Sequence, residues 1–474
     1  MMQETADLII RAWHIVTMNP ARDILLDQAV AVRGRRICAI GAPDDLRRRF
    51  PGAREIGGQR FVLAPGMVNT HIHVTGETLF KSFIPDHLGF EEHVFEWLGP
   101  LLAARRPGDD RLAARLTAVE MLRSGTTCFL EAGSSQFLDE TVDALLETGI
   151  RGRVGGWIWD VPDEPAPYRQ TTDQAIARLQ DQLERYPDRD GGLIAAWAIL
   201  VGHTTGTEHL WRAATALAME HAAGFAFHMS PDAIDIRDFD RRYGRRPLER
   251  LADIGVMDQR PVVTHLVHAS DSEIDILAQS GAHVSHCPTS AMRCGYGVTQ
   301  IGRFPEMADR RINVTIGTDA ANSANHADLM RAAHAVAGLF KDARRDPSIF
   351  PAAQVFEMAT LGGARALRLD DEIGSIEVGK YADLVLHDTD RPEWRPLLDV
   401  VNQLIWSADG RGVHTVLVDG RIVVENGRCV TVDEDALWRE AQQAGEALVA
   451  RFGKPMRDGT RALPPSPNHD WRRT

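Results

Sequence analysis

The sequence predicts an α/β fold, a (β/α)8 (TIM) barrel with a small β-sandwich domain built from both chain ends. Three observations predict it. Between about Phe61 and Asp319, eight short apolar runs alternate with stretches of helical pattern. Both flanks of that region have a strand-and-turn texture instead. The length of 474 residues is too great for one small core, and it suits one barrel with flanking pieces.

The N-terminal flank, ADLIIRAWHIVTM and AVAVRGRRICAIG, alternates short apolar runs with turn-rich breaks, the pattern of antiparallel strands. The eight runs that follow are FVLAPGMVN, TTCFLEAG, RVGGWIW, LIAAWAIL, GFAFHM, PVVTHLV, GAHVSHC and INVTIGTD. In the stretch DDRLAARLTAVEMLRSG, Leu112, Leu116, Val119 and Leu122 recur at helical spacing, and Gly125 follows as a stop. Eight strands with intervening helices fit a closed barrel better than an open doubly wound sheet, which is the alternative. After Asp370 the strands and turns return (IGSIEVGKYADLVLHD, VHTVLVDGRIVVENG), and Asp433 to Phe452 reads as an amphipathic helix. The expected organisation is residues 1–62 and 371–430 as the two halves of the sandwich, 63–370 as the barrel, and 431–474 as a helix and tail. The tail RALPPSPNHDWRRT is Pro-rich and polar, the composition of a flexible or surface-draped terminus.

Composition narrows the function. With 44% hydrophobic and 25% charged residues the chain is globular and neither fibrous nor disordered. A net charge of −13 with no sizeable basic patch excludes nucleic acid and anionic membrane surfaces as expected partners. Five cysteines without a close CxxC pair point to a reducing compartment. The first residues lack the pattern of a signal peptide, and no run approaches the ~20 apolar residues of a bilayer span, so a cytoplasmic protein is expected.

The chemistry lies in histidines and one aspartate at the ends of the runs. His71 and His73 form a His-x-His whose side chains share one face of a strand. At the ends of later runs stand His228, His265, His268, His286 and Asp319. Any one of these is more often a satisfied, half-buried imidazole than a ligand. Histidines and a carboxylate recurring at the same end of successive strands are, as a set, what a divalent metal requires.

The stretches APGMVNTHIH, VTHLVHASDSEIDILAQSGAHVSHCPTSAMRCGYG, INVTIGTDAANSANHADLM and LGGARALRLDDEIGSIEVGKYADLVL resemble the amidohydrolase superfamily. The nearest group is that of the S-adenosylhomocysteine and aromatic deaminases with the triazine hydrolases. The similarity runs to about Gly427, with the motifs in the family's order. It implies that His71, His73, His228 and Asp319 ligate one divalent metal ion, zinc first, with iron, cobalt or manganese also accepted. It implies that His265 is a further ligand or a partner of the metal's water, and that His286 orients or binds substrate. It also implies a homodimer or higher homo-oligomer. Binuclear members add a lysine or glutamate on the fourth strand. Here that run, AAWAILVGH, has neither, so one metal is expected, with His203 lining the pocket.

One departure bears on the reaction. Deaminases of this group carry a glutamate three residues after the fifth-strand histidine, as a proton shuttle. This chain reads His228-Met229-Ser230-Pro231, and proline has no proton to give. Asp232, one residue on, is the candidate substitute. A metal in such a pocket lowers the pKa of a bound water towards ~7 and polarises a carbonyl, and Asp319 can take that water's proton. The expected reaction is therefore hydrolysis of a non-peptide C–N bond in a small apolar or aromatic urea, carbamate, thiocarbamate or amide. Phenylurea and thiocarbamate hydrolases are members of this type. The alternatives are an aminohydrolase of a purine, pyrimidine or triazine ring and, in a different class, a non-catalytic scaffold. The segment after His73, with Phe80, Phe83, Phe90, Phe95 and Trp97, reads as the first βα loop. From it Phe83, Trp97 and His93 are expected to meet the substrate, although most aromatic residues there pack the loop onto the barrel. Trp157 and Trp159 share one strand face, with the same two possibilities.

Overall fold

In a computed structural model, residues 5–189 and 191–452 are described. The tail read above as draped, residues 461–474, lies outside them. The N-terminal flank forms four strands: β1 (Leu8–Val16), β2 (Ile24–Arg33), β3 (Arg36–Gly41) and β4 (Arg54–Pro65). The first barrel run divides at Gly66, since FVLA ends β4 while the barrel begins with β5 (Met67–Ile72). Any larger residue at Gly66 is barred, because a Cβ there would lie 2.0 Å from Thr127 Oγ1.

Around the barrel follow β6 (Thr126–Glu131), β7 (Arg151–Val154), β8 (Ile194–Ala196), β9 (Ala198–Gly202), β10 (Phe225–Met229), β11 (Val262–His265), β12 (His283–His286) and β13 (Asn313–Ile316). β5 to β8 form one parallel arc and β9 to β13 the other. β8 and β9 are one run, LIAAWAIL, interrupted at Trp197, so eight strand positions surround the axis.

Closure comes from β5 meeting β13. Thr70 Oγ1 lies 2.8 Å from both Ser285 Oγ and Thr315 Oγ1, and Asn69 Nδ2 donates to Thr318 Oγ1 at 2.8 Å. The backbone N–H of Asp319 then donates to the carbonyl of His71 at 2.9 Å, which sets the two candidate ligands side by side. The apolar core lies between barrel and helices. From the helix Pro107–Arg123 it takes Ala114, Ala118, Val119 and Leu122.

The C-terminal strands are β14 (Leu384–Asp388), β15 (Val413–Val418), β16 (Arg421–Glu425) and β17 (Arg428–Cys429). They join the N-terminal strands in one eight-stranded sheet of order β17-β16-β15-β14-β4-β1-β2-β3. Buried Arg151 on β7 ties this sheet to the barrel, donating to Asp383 at 2.8 Å and to Asp419 at 3.2 Å. Such a charge is tolerated in the interior because both carboxylates answer it. The last helix, Glu434–Phe452, crosses the helix Pro107–Arg123 and the turn Gly76–Phe80. Among the described residues no helix is long and apolar enough to cross a membrane.

Candidate active site

At the C-terminal mouth of the barrel five ligand-type side chains converge. Asp319 Oδ1 lies 3.4 Å from His71 Nε2 and 3.3 Å from His73 Nε2, and His228 Nε2 lies 3.4 Å from His73 Nε2. His71, His228 and His265 each offer a nitrogen within 4.8 Å of the others. Bonds of ~2.0–2.1 Å in a tetrahedral zinc site separate neighbouring ligand atoms by ~3.3 Å, which the spacings of 3.3 and 3.4 Å around Asp319 and His73 match. Buried His71 Nε2 has no hydrogen-bond partner, as a nitrogen aimed at a cation requires.

The surroundings fix the ring orientations. His228 Nδ1 faces the Val201 carbonyl at 2.8 Å, and His71 Nδ1 meets Thr264 Oγ1 at 3.1 Å. In both rings Nε2 is the nitrogen left for a metal. His73 Nδ1 lies 2.9 Å from Glu77 Oε1, and Glu77 Oε2 accepts from Asn322 at 2.9 Å.

Burial lowers the pKa of His71, drives that of His228 well down with help from the adjacent imidazoles, and takes His265 to about 3. All three are therefore neutral near pH 7, the form that ligates a metal. Burial opposes ionisation of Asp319 too, but the His71 and His73 imidazoles beside it outweigh it and hold the carboxyl well below its ordinary range. At His73 burial is overcome by Glu77 and Asp319, which raise its pKa well above the usual histidine value. The two carboxylates thus demand positive charge at this point, which a divalent cation would supply.

Four residues at these strand ends adopt left-handed backbone: His203 (φ 50°), Ser230 (φ 51°), His265 (φ 76°) and Asp319 (φ 67°). Histidine and aspartate tolerate this region better than most residues, and the turn redirects the side chain that follows a regular strand. Thr264 and His265 are neighbours in sequence, yet the turn lets the first bond His71 and the second line the cleft.

The cleft has a volume of about 920 Å³ including its mouth. Its walls include His93, His203 and, from the first loop, Phe90. Trp157 and Trp159 line it as well, their rings 4.8 Å apart. The segment Glu92–Leu98 is π-helical and brings His93, Val94 and Leu98 to the wall.

Three expectations are corrected. His286 does not reach the cleft. Ser285 faces the barrel axis, and regular alternation turns His286 outward, where it stacks on Phe304 at 3.9 Å. Phe83 and Trp97 pack with each other at 5.9 Å in the cluster beneath the loop, and Trp97 also stacks on Phe452 of the last helix at 6.0 Å. Asp232 accepts from the Ile234 N–H at 3.1 Å in its own turn, outside the cleft wall.

Asp235, three residues further, is the carboxylate that lines the cleft. Its Oδ2 accepts from Ser230 N–H at 2.6 Å and meets His203 Nδ1 at 2.9 Å, while its buried Oδ1 has no partner. Sequence reasoning missed Asp235, Glu77, Thr264 and Tyr296. Only Glu77 leaves a local signal, an acidic residue four positions after His73.

Comparison with known proteins accords with this geometry. The amidohydrolase family profile matches residues 62–423, and that of an imidazolonepropionase-like composite domain of bacteria matches residues 29–53. A 5'-deoxyadenosine deaminase of Methanosarcina acetivorans is 31% identical over 94% of this chain and 99% of its own. A 5-methylthioadenosine/S-adenosylhomocysteine deaminase of Acetivibrio thermocellus is 29% identical over 94% of this chain and 100% of its own. Among solved structures, an adenosine deaminase from Xanthomonas campestris with bound zinc superposes with a TM-score of 0.86 at 31% identity, covering 94% of this chain and 99% of that one. An atrazine chlorohydrolase from Arthrobacter aurescens complexed with zinc gives 0.84 at 22% identity, covering 92% and 100%, a likeness of fold. The chain belongs to the amidohydrolase family. It is a metal-dependent hydrolase acting on C–N bonds, and the scaffold reading is set aside.

Proposed function

We propose that the chain is an aminohydrolase that releases ammonia from an amino-substituted nitrogen heterocycle, using one zinc ion held by His71, His73, His228 and Asp319, with His265 beside them. The observation that carries this reading is His203. Its ring stacks on His228 at 5.3 Å, and Asp235 engages its Nδ1, which leaves Nε2 for the cleft. An imidazole backed by a carboxylate is a competent proton carrier, and here it stands beside the ligands of a chain whose fifth-strand glutamate is replaced by Pro231. The deaminases among its relatives support the same reading.

A bound zinc ion supplies a polarised water and Lewis-acid pull on the carbon under attack. Asp319, ionised between His71 and His73, accepts a proton as water adds to that carbon. His203 Nε2 gives a proton to the ring nitrogen. The exocyclic C–N bond then breaks, the amine leaves as ammonia with the proton that Asp319 returns, and the hydroxyl left on the carbon gives its proton back to His203 as the carbonyl forms.

Pro231 favours a second reading, hydrolysis of a urea, carbamate, thiocarbamate or amide, for which no ring nitrogen is protonated. Product analysis separates the two. Zinc-loaded protein is offered aminopurines, aminopyrimidines and aminotriazines on one side, and aryl ureas and carbamates on the other. Ammonia from the heterocycles is the expected result; amine release from the ureas alone would transfer the assignment to the second reading.

A further inference from the structure

Away from the metal end and His203, the wall of the cleft carries no group able to neutralise an anion. Among the described residues, no lysine or arginine lines it. The nearest arginines serve other partners. Arg105 is fully buried and donates to Asp110, Ser134 and Tyr168, and Arg293 donates to the Ile84 carbonyl. Arg237, Arg241 and Arg242 stand outside, in a neighbouring groove that shares only Thr204 and Ile234 with the cleft, and they pair with Glu91 and Asp238. The carboxylates that do face inward are Asp319, Glu77 and Asp235, each an acceptor. A further anion placed on the apolar side of the cleft, out of reach of the metal, would be desolvated with nothing to pair it.

Apart from His93 and a few hydroxyl residues, the remaining wall is apolar and aromatic, with Phe90, Val94, Leu98, Leu102, Trp157 and Tyr296. Besides the close His73–Glu77 pair, three polar atoms of the cleft residues lack partners: His93 Nε2, Trp157 Nε1 and Asp235 Oδ1. Trp157 Nε1 is a buried donor, and Asp235 Oδ1 is a buried acceptor. Buried groups of this kind are ordinarily satisfied, so an unpaired donor and an unpaired acceptor in one apolar cleft mark where a ligand supplies the missing partners.

We infer that the site selects an uncharged substrate: a heteroaromatic amine whose substituent is apolar, seated against Phe90, Val94 and Leu98, with Trp157 Nε1 donating to a heteroatom and Asp235 Oδ1 accepting an N–H. This rests on the aminohydrolase reading for the ring, but the exclusion of anions follows from the walls alone. Trp157 and Asp235 are the specificity-determining residues. A substrate bearing a carboxylate or phosphate on that apolar substituent is rejected even when the ring is the same.

The test compares three compounds on the zinc-loaded protein: 6-phenyl-1,3,5-triazine-2,4-diamine, its 3-methylphenyl analogue as a size control, and its 3-carboxyphenyl analogue. Calorimetry gives Kd, and ammonia release gives kcat/KM. The two neutral compounds bind within about threefold of each other, and the carboxylate binds at least about 100-fold more weakly, the scale expected for an unpaired buried charge. Leu98→Arg recovers at least about tenfold of that loss, and Trp157→Phe weakens the neutral compounds about fivefold, as for one lost hydrogen bond. Equal affinity for the charged and neutral compounds, or no binding of the neutral ones, overturns the inference. If the 100-fold contrast holds but no compound yields ammonia, the aminohydrolase reading fails while the selectivity stands, so the two failures are told apart.

Discussion

Two adjacent strands end in histidine, and the two histidines have opposite fates. His265 closes β11 with a left-handed residue and turns into the cleft, its ring 5.6 Å from those of both His71 and His228. His286 closes β12 in regular conformation and lies on the far side of the same wall, against Phe304 and Phe340. Burial brings both pKa values to about 3. Depressed basicity therefore does not distinguish them; direction does, and direction is set by one backbone turn. A histidine at a strand end becomes functional here when the chain leaves the strand left-handed, or when parity already faces it inward, as at His228.

The largest effect expected from this contrast is at the ligands. His71→Ala and Asp319→Asn lower kcat/KM at least about 10³-fold and bring zinc below about 0.2 ions per chain, whereas His286→Phe changes activity less than about twofold. Loss of zinc in the His286 variant would erase the distinction. Next, His203→Asn and Asp235→Asn reduce ammonia release about 10²- to 10⁴-fold with zinc content unchanged, the range of general acid–base contributions. A fall in zinc content equal to the fall in rate would reassign His203 to the metal. Thr264→Val, which frees His71 Nδ1, weakens zinc affinity about 10- to 100-fold in a chelator competition, with little change in fold.

The smallest effect is on stability. His286 is neutral when folded, with its pKa lowered by burial from 6.5 to about 3, and it takes up a proton near 6.5 once unfolded. The unfolded chain binds the extra proton throughout that window, so stability falls as pH drops from 6.5 towards 3 and this group adds no slope above 6.5. Urea midpoints measured across the range decline less steeply in His286→Phe; an unaltered slope would contradict the buried, uncharged assignment.

Much of this was legible in the sequence, for physical reasons that also mark the limit. Closed parallel sheets are buried on both faces, so their strands read as apolar runs, and residues at run ends become site candidates. His71, His73, His228, His265 and Asp319 all emerged in that way. What alternation cannot supply is the conformation of the residue after the strand, and hence which of His265 and His286 turns inward. Nor does it show that the bend at Pro231 and Asp232 turns Asp232 away and that the helix after it brings Asp235 back to His203. Composition also misled in the first loop. Phe83 and Trp97 are as aromatic as Phe90, but Phe452, some 350 positions later, claims both, with ring separations of 6.3 and 6.0 Å. Such a partner has no local signature. The first run misled in a smaller way, because FVLAPGMVN is unbroken in hydrophobicity while Gly66 divides it between two sheets.

The central claim is that four side chains, in or just after β5, β10 and β13, share one cation, with His265 of β11 beside them. Anomalous diffraction at the zinc edge from crystals of the zinc-loaded protein tests it most directly. The account predicts one strong peak about 2.0–2.2 Å from Nε2 of His71, His73 and His228 and from a carboxylate oxygen of Asp319. A protein that stays empty in excess zinc, or a peak more than about 6 Å from these atoms, would contradict it.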